Sequence, residues 1–460
     1  LVFLYRIGLH LFTLSRGEKA RLKTAEPGSR PVLPALLAVL LTAFYYPLNN
    51  WVLLGTEVSG LLLIVTAGAW LALRSAEARR VNPWLYALLG LGILVRLDAA
   101  VPYLVIWGWL FLFDSQNRLK NLLWGGVMLI FFLGGQTAAR YLYYGEWLPM
   151  TYYLKMTGMP VNLRLLRGLY TLRDFLTSIN RWAFLFAFTA LIFKRDRRWL
   201  LPVLLLLAQL VYSVYVGGDA WEHRGGANRF IALGMPFYFL LFASAGWAWM
   251  DAAVRGLGRL LKPLGGVLAV AGRIALVLAC LYALLYANRY KNEGDVLAAL
   301  RDPAEGVLRY SLLTQRSYFA PGSERYTRDG LALRDLTDPQ ASVAVTAAGN
   351  IIYYADRPGV DLFGKCDRVI ALMPARLDLM LNPADPSRED ILNLRPGHSK
   401  WRYTYSIGEL KPDVVVEVFP STDEEAAPFL MDYVPAQVNG HTMYFRRGSV
   451  NVVWEKVGEK

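Results

Sequence analysis

Apolar stretches long enough to cross a lipid bilayer follow one another through the first 290 residues and then stop. A bilayer core about 30 Å thick needs roughly 20 apolar residues in a helix. This pattern predicts a polytopic α-helical membrane protein with a partial first helix and about nine spans. We expect the spans near residues 32–48, 58–73, 84–97, 99–113, 121–143, 176–193, 199–216, 229–250 and 264–288.

The composition agrees with a membrane protein. Charged residues make up 18% of the chain, against about a quarter in soluble proteins, and the mean hydropathy is +0.31. The net charge of +13 is typical of basic cytoplasmic loops, so we do not predict nucleic-acid binding. The two cysteines, Cys280 and Cys366, lie far apart and the four histidines are scattered. Neither a disulfide framework nor a metal site is therefore predicted.

The pattern changes after about residue 290. The segments 342–346 and 414–418 are short apolar runs typical of buried strands, and Pro/Gly-rich and helical stretches separate them. We therefore predict two domains, a transmembrane domain over residues 1–290 and a water-soluble α/β domain over residues 291–460.

Lysine and arginine collect in alternate short loops, which by the positive-inside rule face the cytoplasm. The intervening loops 45–57, 97–100, 144–181 and 217–229 then face outward with the C-terminal domain. In a bacterium this is a plasma-membrane protein with a periplasmic or extracellular domain. The basic groups are Arg16, Lys19, Arg21, Lys23 and Arg30; Arg74, Arg79 and Arg80; Arg118 and Lys120; Lys194, Arg195, Arg197 and Arg198; and Arg255, Arg259 and Lys262.

The outward segment 215–229 holds the densest group of charges near the predicted membrane. Charges at membrane depth are expensive and usually functional. Arginine suits bidentate phosphate binding, and glycine-rich backbone N–H groups can add to it. An ordinary polar loop anchored by interfacial Trp and Arg is the alternative. The charged side chains are Asp219, Glu222, His223 and Arg224, which lie between two glycine pairs, and Arg229, which follows the second pair.

Three other outward features leave alternatives open. Residues 143–155 contain five aromatic residues, as an interfacial belt or a sugar-binding platform would. Arg96 and Asp98 either pair with each other or line a polar cavity. The loop 144–181 carries basic residues against the inside-positive trend, through contact with anionic lipid head groups or because longer loops translocate regardless of charge. These basic residues are Lys155, Arg164, Arg167, Arg173 and Arg181.

Several motifs together resemble the GT-C superfamily of membrane glycosyltransferases, which use polyprenyl-phosphate sugars, and within it a bacterial branch that includes the mycobacterial terminal arabinofuranosyltransferase. The most specific is Tyr-Tyr-Gly-Glu-Trp-Leu-Pro-Met-Thr-Tyr-Tyr-Leu-Lys at 143–155. Also similar are Leu-Gly-Thr-Glu at 54–57, Val-Arg-Leu-Asp at 95–98, and Val-Gly-Gly-Asp at 216–219 followed by Arg229-Phe230 and Pro236. In the C-terminal domain, Asp-Arg-Pro-Gly-Val-Asp-Leu-Phe-Gly at 356–364, Arg-Pro-Gly-His at 395–398 and Lys-Pro-Asp at 411–413 match as well.

The resemblance implies inverting transfer of a sugar from a polyprenyl-phosphate donor to a cell-envelope glycan or lipid. The catalytic Asp of the family is expected upstream of Leu1, which already lies inside an apolar run, so the chain is expected to be truncated there. In-chain candidates for the base are Asp219, Glu57 and Glu146. The expected donor phosphate ligands are Arg224, Arg229 and Lys155. Expected substrate-binding residues are Tyr152, Tyr153, Asp98 and His223, and Asp219 would bind sugar hydroxyls, or a divalent metal where one is used.

Two further function classes compete with the enzyme. A non-catalytic subunit or glycan-lipid-binding protein could use the same scaffold without the base. A transporter fits the number of spans, but transporters place their coupling residues near the bilayer midplane. Here, Arg96 and Asp98 apart, the polar residues cluster at one face of the predicted membrane domain.

Overall fold

A computed structural model describes residues 1–12, 32–53, 55–220, 222, 228–288, 323–381, 386–419 and 422–457. The chain divides into two compact units. The first comprises 1–145 and 168–315, and the second 146–167 and 316–460. The predicted boundary at residue 290 lies outside the described residues. The segment 146–167, which we expected in an outer loop of the membrane domain, belongs to the second unit.

The first unit is helical, and five of its described helices are long and apolar enough to cross a membrane. They are Val58–Ala78, Arg118–Tyr144, Arg197–Tyr215, Met235–Leu260 and Gly265–Asn288. Its other helices are Val2–Phe12, Val32–Ala43, Tyr46–Leu53, Pro83–Val95, Leu97–Ala99, Ala100–Phe113, Arg181–Phe188, Ala190–Phe193, Arg229–Ala232 and Lys262–Leu264. Five of the nine predicted spans thus overlap helices of sufficient length, whereas those near 32–48, 84–97 and 99–113 overlap shorter apolar helices.

These apolar helices differ greatly in how much protein covers them. Met235–Leu260 packs against Val32–Ala43, Arg181–Phe188, Leu200–Tyr215 and Gly265–Asn288, and 56% of its apolar window is buried. In Arg118–Tyr144 only 6% of that window is buried. An apolar helix with so little protein cover is typical of a lipid-facing helix. The first unit therefore has the character of a helical membrane domain.

Glycines allow several of these helices to approach closely. A Cβ on Gly68 would lie 2.6 Å from Cδ2 of Leu89, and a Cβ on Gly90 would overlap the ring of Phe132. Phe132 lies in a π-helical turn, Ile130–Gly134, inside the Arg118–Tyr144 helix. Small residues at such contacts are typical of helix packing in membranes.

Helices occupy part of the predicted outer loop 144–181, and the predicted continuous span at 176–193 is wrong. Residues 161–178 form a helix, and Asn180 breaks the chain direction by 87° before the helices of 181–193. Asn180 has a positive φ of 67° and its side chain accepts a hydrogen bond from the N–H of Trp182. An Asn with a positive φ that also caps the following helix explains the break.

The second unit contains a five-stranded sheet of order β2-β1-β3-β5-β4. The strands are β1 (Val343–Val345), β2 (Gly359–Asp361), β3 (Val414–Val415), β4 (Tyr433–Val438) and β5 (His441–Arg446). β1 pairs in parallel with β2 and β3, whereas β5 is antiparallel to both β3 and β4. The predicted strands at 342–346 and 414–418 are thus confirmed in shortened form, each fully buried.

Helices pack around this sheet. Its core on one side includes Leu333, Leu336 and Ile351, and a second apolar cluster includes Phe363 and Trp401. The helices of the second unit are Met150–Met156, Ser323–Leu336, Asn350–Ala355, Arg368–Leu372, Leu377–Met380, Arg388–Asn393, the π-turn Thr404–Glu409, Asp423–Leu430 and Trp454–Val457. The helix Val161–Ser178 crosses the boundary between the units at residue 167.

Buried basic side chains fasten the segment 146–167 to the rest of the second unit. Nζ of Lys400, which is 1% exposed, donates to the carbonyls of Ala371 (2.6 Å) and Tyr153 (3.1 Å). Arg164 donates to the carbonyl of Met156 and Arg167 to that of Leu392, and both arginines are buried. Both cations are buried in the protein and bind backbone carbonyls. The alternative of contact with lipid head groups therefore does not hold for Arg164 and Arg167.

Candidate functional site

Charged groups occupy opposite ends of the long helices of the first unit. Val58–Ala78 begins directly after Glu57 and ends before Arg79 and Arg80. Met235–Leu260 follows Arg229 at its start and carries Arg255 and Arg259 in its last turns. In these two helices, Glu57 and Arg229 thus lie at the starts, and Arg79, Arg80, Arg255 and Arg259, which we predicted to be cytoplasmic, lie at the ends.

Asp219 and Arg229 form a bidentate ion pair. Nε of Arg229 donates to Oδ2 of Asp219 over 2.8 Å, and Nη2 donates to Oδ1 over 2.9 Å. The backbone N–H of Arg229 also donates to Oδ2, over 3.2 Å. The Asp219 side chain is 1% exposed, so both of its oxygens are occupied inside the protein.

The local sequence explains this geometry. Gly217 and Gly218 both have φ near +80°, a conformation that residues with a Cβ rarely adopt, and they turn the chain into Asp219. On the other side, the Asn228 side chain accepts from the N–H groups of Phe230 and Ile231, which begins the helix of Arg229.

Asn228 also joins this turn to its neighbours. Its Nδ2 donates to Oγ of Ser213 over 2.8 Å and to Oε1 of Glu222 over 3.0 Å. Oε1 of Glu222 in turn accepts from the N–H of Asp219. The two flanks of the segment 219–228 are thus held together by side-chain bonds.

A second ion-pair group is centred on Arg96. Its Nε and Nη2 donate to the two oxygens of Asp98 over 2.5 and 2.6 Å, and its Nη1 donates to Oε1 of Glu57 over 2.7 Å. Arg96 ends the helix Pro83–Val95 in an extended conformation. Glu57 comes from a different helix, 39 residues earlier. Of the two alternatives for Arg96 and Asp98, the ion pair is thus observed, and Glu57 extends it.

Aromatic rings connect the two groups. The guanidinium carbon of Arg96 lies 5.3 Å from the ring centre of Phe230, the residue next to Arg229. The guanidinium carbon of Arg229 lies 5.1 Å from the ring centre of Trp51. Both contacts have the geometry of cation–π interactions. We call Glu57, Arg96, Asp98, Asp219, Glu222 and Arg229 the charged cluster.

The charged cluster contains an excess of acid. Among the described residues it has four carboxylates (Glu57, Asp98, Asp219 and Glu222) against two guanidiniums (Arg96 and Arg229). In the same part of the chain, no group of three or more His, Cys, Asp and Glu has the arrangement of a metal site. Both guanidiniums already hold carboxylates, but Nη1 of Arg229 has no acceptor among the described residues. That nitrogen is the donor that the cluster can offer a ligand.

Glu57 is the most accessible carboxylate of the ion pairs. Its side chain is 29% exposed, against 8% for Asp98 and 1% for Asp219. Burial raises the pKa of Glu57, but the hydrogen bond from Arg96 and the charges of Arg96 and Arg229 outweigh this, so its pKa is lowered overall. Glu57 is therefore ionised at neutral pH, and only its Oε1 is held by Arg96.

Four other predicted site residues belong to the second unit and not to the unit that contains the charged cluster. They are Glu146, Tyr152, Tyr153 and Lys155. Nε of Arg368 donates to Glu146 over 2.5 Å, and hydrogen bonds from Arg368 and the Tyr153 hydroxyl lower the pKa of Glu146. The Glu146 carboxylate is therefore already bound by residues of the second unit.

Tyr152 and Tyr153 stack edge to face, with ring centres 6.4 Å apart. Lys155 lies next to Gly397, where a Cβ would be 3.7 Å from its Cε. Its positive charge contributes to the lowered pKa of His398. His223 and Arg224, together with the basic group 16–30, lie outside the described residues.

The sequence-based predictions did not include the hydrogen bonds of Asn228 or the contacts of Trp51 and Phe230 with the two arginines. Asn228 does carry a signal, because Asn before a short apolar helix is a common N-cap. The contacts of Trp51 with Arg229 and of Glu57 with Arg96 join residues that are far apart in sequence, and no local pattern indicates them.

No family model, curated protein or solved structure matches this chain.

Proposed function

We propose that this protein is an inverting membrane glycosyltransferase of the GT-C type, which transfers a sugar from a polyprenyl phosphate to a cell-envelope glycan or lipid. The observation that carries the proposal is the charged cluster at one set of ends of the apolar helices. A helix bundle needs no such group to fold, and buried ion pairs contribute little net stability compared with apolar packing. Their presence at a membrane face favours a functional site.

The reaction requires two kinds of group, and the charged cluster contains both. The acceptor hydroxyl loses its proton to a carboxylate while its oxygen forms a bond to the anomeric carbon. The bond from that carbon to the phosphate oxygen breaks on the opposite face, and its electron pair leaves with the phosphate. The phosphodiester thereby becomes a phosphomonoester with one more negative charge, which a guanidinium stabilises.

Glu57 is our choice among the in-chain carboxylates for contact with the acceptor hydroxyl. It is ionised, partly exposed, and has one oxygen outside the pair with Arg96. Asp219 has both oxygens engaged by Arg229 and acts as its positioning residue. Glu146 is paired with Arg368 in the second unit. Arg229, with Nη1 available, is our choice for the donor phosphate.

We further propose that the charged cluster faces the outside of a bacterial plasma membrane. It lies at the helix ends opposite Arg79, Arg80, Arg255 and Arg259, and short basic loops face the cytoplasm. Lipid-linked sugars, membrane lipids and the acceptor would then be its partners, with no nucleic acid involved. The proposal includes no resident metal.

The test is a transfer assay in membranes that contain the full chain, with polyprenyl-phosphate pentoses and hexoses as donors and the endogenous envelope material as acceptor. We expect mass spectrometry to detect release of polyprenyl phosphate by the wild type. Glu57→Gln keeps a hydrogen-bond acceptor for Arg96 but removes the charge, and loss of a general base lowers rates about 100-fold or more.

Glu77→Gln is the matched control, because Glu77 lies at the other end of the same helix and its side chain is 40% exposed. Its transfer rate should equal that of the wild type. Full activity of Glu57→Gln would remove Glu57 from the mechanism. If the wild type releases no polyprenyl phosphate with any donor, the enzymatic proposal fails.

One observation favours a second candidate, a non-catalytic glycan-lipid-binding protein. In the described residues, Arg96 and Arg229 are each held by carboxylates of the chain itself, as they would be in a purely structural network. Binding of polyprenyl-phosphate sugar without turnover by the wild type would select this candidate.

A further inference from the structure

The second unit contains a cavity of about 720 Å³, and none of its lining residues belongs to the charged cluster. Ligand sites for small molecules typically measure roughly 300–1,000 Å³. The helices Leu377–Met380 and Asp423–Leu430 and the segment around Arg395 supply its walls. The cavity is therefore large enough for two or three sugar rings.

One wall of the cavity is rigidly built. Oε2 of Glu425 accepts from Nε1 of Trp401 over 2.9 Å, and Oε1 accepts from Nη1 of Arg376 over 2.8 Å. The Arg376 guanidinium carbon lies 5.5 Å from the ring centre of Trp401. Trp401 is 2% exposed, so it supports the wall from behind. Preorganised polar walls of this kind lower the entropy lost on binding.

The cavity has both apolar and polar lining residues. Phe419, Leu379 and Met380 present apolar surface, and Phe419 is fixed by packing against Trp401, with ring centres 5.9 Å apart. The side chains of Asn393 and Glu424 are exposed and make no hydrogen bond to any described residue. They remain available to a ligand.

The charges of the cavity balance. Arg376 and Arg395 contribute two positive charges, and Glu424 and Glu425 two negative ones. Burial, and then the charge of Lys365, lowers the pKa of His398 to about 4, so this imidazole is neutral at physiological pH. The lining residues together therefore give no preference to an anion or a cation. Paired donors and acceptors beside apolar surface suit a molecule that has many hydroxyl groups and apolar C–H faces.

We propose that this cavity binds two or three units of a neutral saccharide and thereby holds part of the acceptor glycan. Carbohydrate C–H faces would pack on Phe419 and Leu379, while hydroxyl groups would donate to Glu424 and bond to Asn393. The identification of this saccharide as the acceptor rests on the proposed function. Saccharide binding itself rests on the cavity alone.

The test uses the full chain in lipid nanodiscs and saturation-transfer NMR with three neutral trisaccharides, namely maltotriose, cellotriose and xylotriose. Trigalacturonate serves as the anionic comparison. We expect saturation transfer to at least one neutral trisaccharide. The double variant Asn393→Ala/Glu424→Gln removes the side-chain amide of one residue and the charge of the acceptor on the other. It should bind the trisaccharide about tenfold more weakly, because one hydrogen bond is lost and one is weakened.

Glu409→Gln is the matched control, because Glu409 is exposed in the same unit but does not line the cavity. Its binding should equal that of the wild type. Equal binding by the double variant, preference for trigalacturonate, or no saturation transfer to any neutral trisaccharide would each overturn the proposal. Binding by a chain that releases no polyprenyl phosphate would refute the enzyme and leave the saccharide cavity in place.

Discussion

Asp219 binds Arg229 through three hydrogen bonds, two to the guanidinium and one to the backbone N–H. The same carboxylate thus fixes both the side chain and the chain direction at the start of a helix. This arrangement separates two effects of substitution, because the pair can lose the carboxylate that anchors Arg229, or it can keep both charges and lose the bidentate geometry. The first two predictions use that separation.

Removing one partner of this pair should destabilise the protein. Asp219→Asn leaves Arg229 without its counter-charge, and breaking a buried ion pair from one side costs about 3–5 kcal/mol. Thermal unfolding in detergent measures the loss. The exposed pair Asp251–Arg255 provides the control, since Asp251→Asn should change stability by no more than about 0.5 kcal/mol. Similar losses in the two variants would show that the Asp219 pair is not structurally special.

Arg229→Lys keeps the positive charge but cannot make the bidentate bond. We expect transfer to fall by about tenfold or more, since a misplaced charge-stabilising group loses at least 1.4 kcal/mol of transition-state stabilisation. The transfer assay described above measures this. Arg255→Lys, at the opposite end of the Met235–Leu260 helix, is the control. Wild-type transfer by Arg229→Lys would exclude a role for the guanidinium geometry.

Gly168 should tolerate no side chain. A Cβ there would collide with the backbone of Val214 in the helix Leu200–Tyr215, at 2.7 Å from its Cα. Gly168→Ala should lower stability by about 1–3 kcal/mol through overpacking. At Gly108, also inside a helix, a Cβ would meet nothing within 4 Å, so Gly108→Ala should raise stability slightly. A neutral Gly168→Ala would contradict this helix contact.

Asp413 should make the second unit sensitive to acid. Its carboxylate accepts hydrogen bonds from Ser342, Arg446, Ser449 and Asn451. Burial raises its pKa, but these bonds outweigh burial and lower it from 3.8 to about 2. A folded-state pKa below the unfolded value stabilises the protein above pH 3.8, and the stabilisation disappears as the pH falls toward 2.

The shift corresponds to roughly 2 kcal/mol. Near-ultraviolet circular dichroism between pH 6 and 2 follows the unfolding of the second unit. Asp413→Asn should lower stability at pH 6 and flatten the acid transition, whereas Asp338→Asn, at an exposed position, should leave the curve unchanged. An unaltered transition in Asp413→Asn would show that other groups control acid unfolding.

The native cysteines report orientation. Cys366 is exposed and Cys280 is buried, and neither forms a disulfide. An impermeant maleimide applied to intact cells should therefore label Cys366 alone, and Cys366→Ser should abolish labelling. Partial burial of the Cys366 thiol raises its pKa, so the rate of maleimide labelling should increase with pH. Labelling only after permeabilisation would place the second unit in the cytoplasm.

The apolar pattern predicted the helical unit well, because one property, the length of uncharged sequence, determines whether a helix can cross a bilayer. The apolar pattern failed where the fold depends on the bonding or burial of individual polar side chains. The helix break at Asn180 depends on a single side chain that caps the next helix. The amphipathic helix 161–178 buries Arg164 and Arg167, so its sequence reads as a charged loop.

The candidate site was predictable in its residue types but not in its pairings. Asp219 and Arg229 belong to one short segment, and their density of charge was visible. Two ion pairs, Asp219 with Arg229 and Glu57 with Arg96, depend on how separate helices pack together. The sequence did not predict the cavity beside Trp401, since its residues come from three separate segments, 376–380, 393–401 and 419–425.

The second unit is discontinuous in sequence, because the segment 146–167 belongs to it and residues 168–315 do not. A protein fragment that starts at residue 316 would lack the Tyr153 carbonyl that Lys400 binds, as well as the glycine at 158 against which Pro374 packs. The segment 316–460 is therefore not a unit that can be transferred by itself. Chimeras between proteins of this architecture would have to exchange both stretches together, and the two stretches would have to change in concert during evolution.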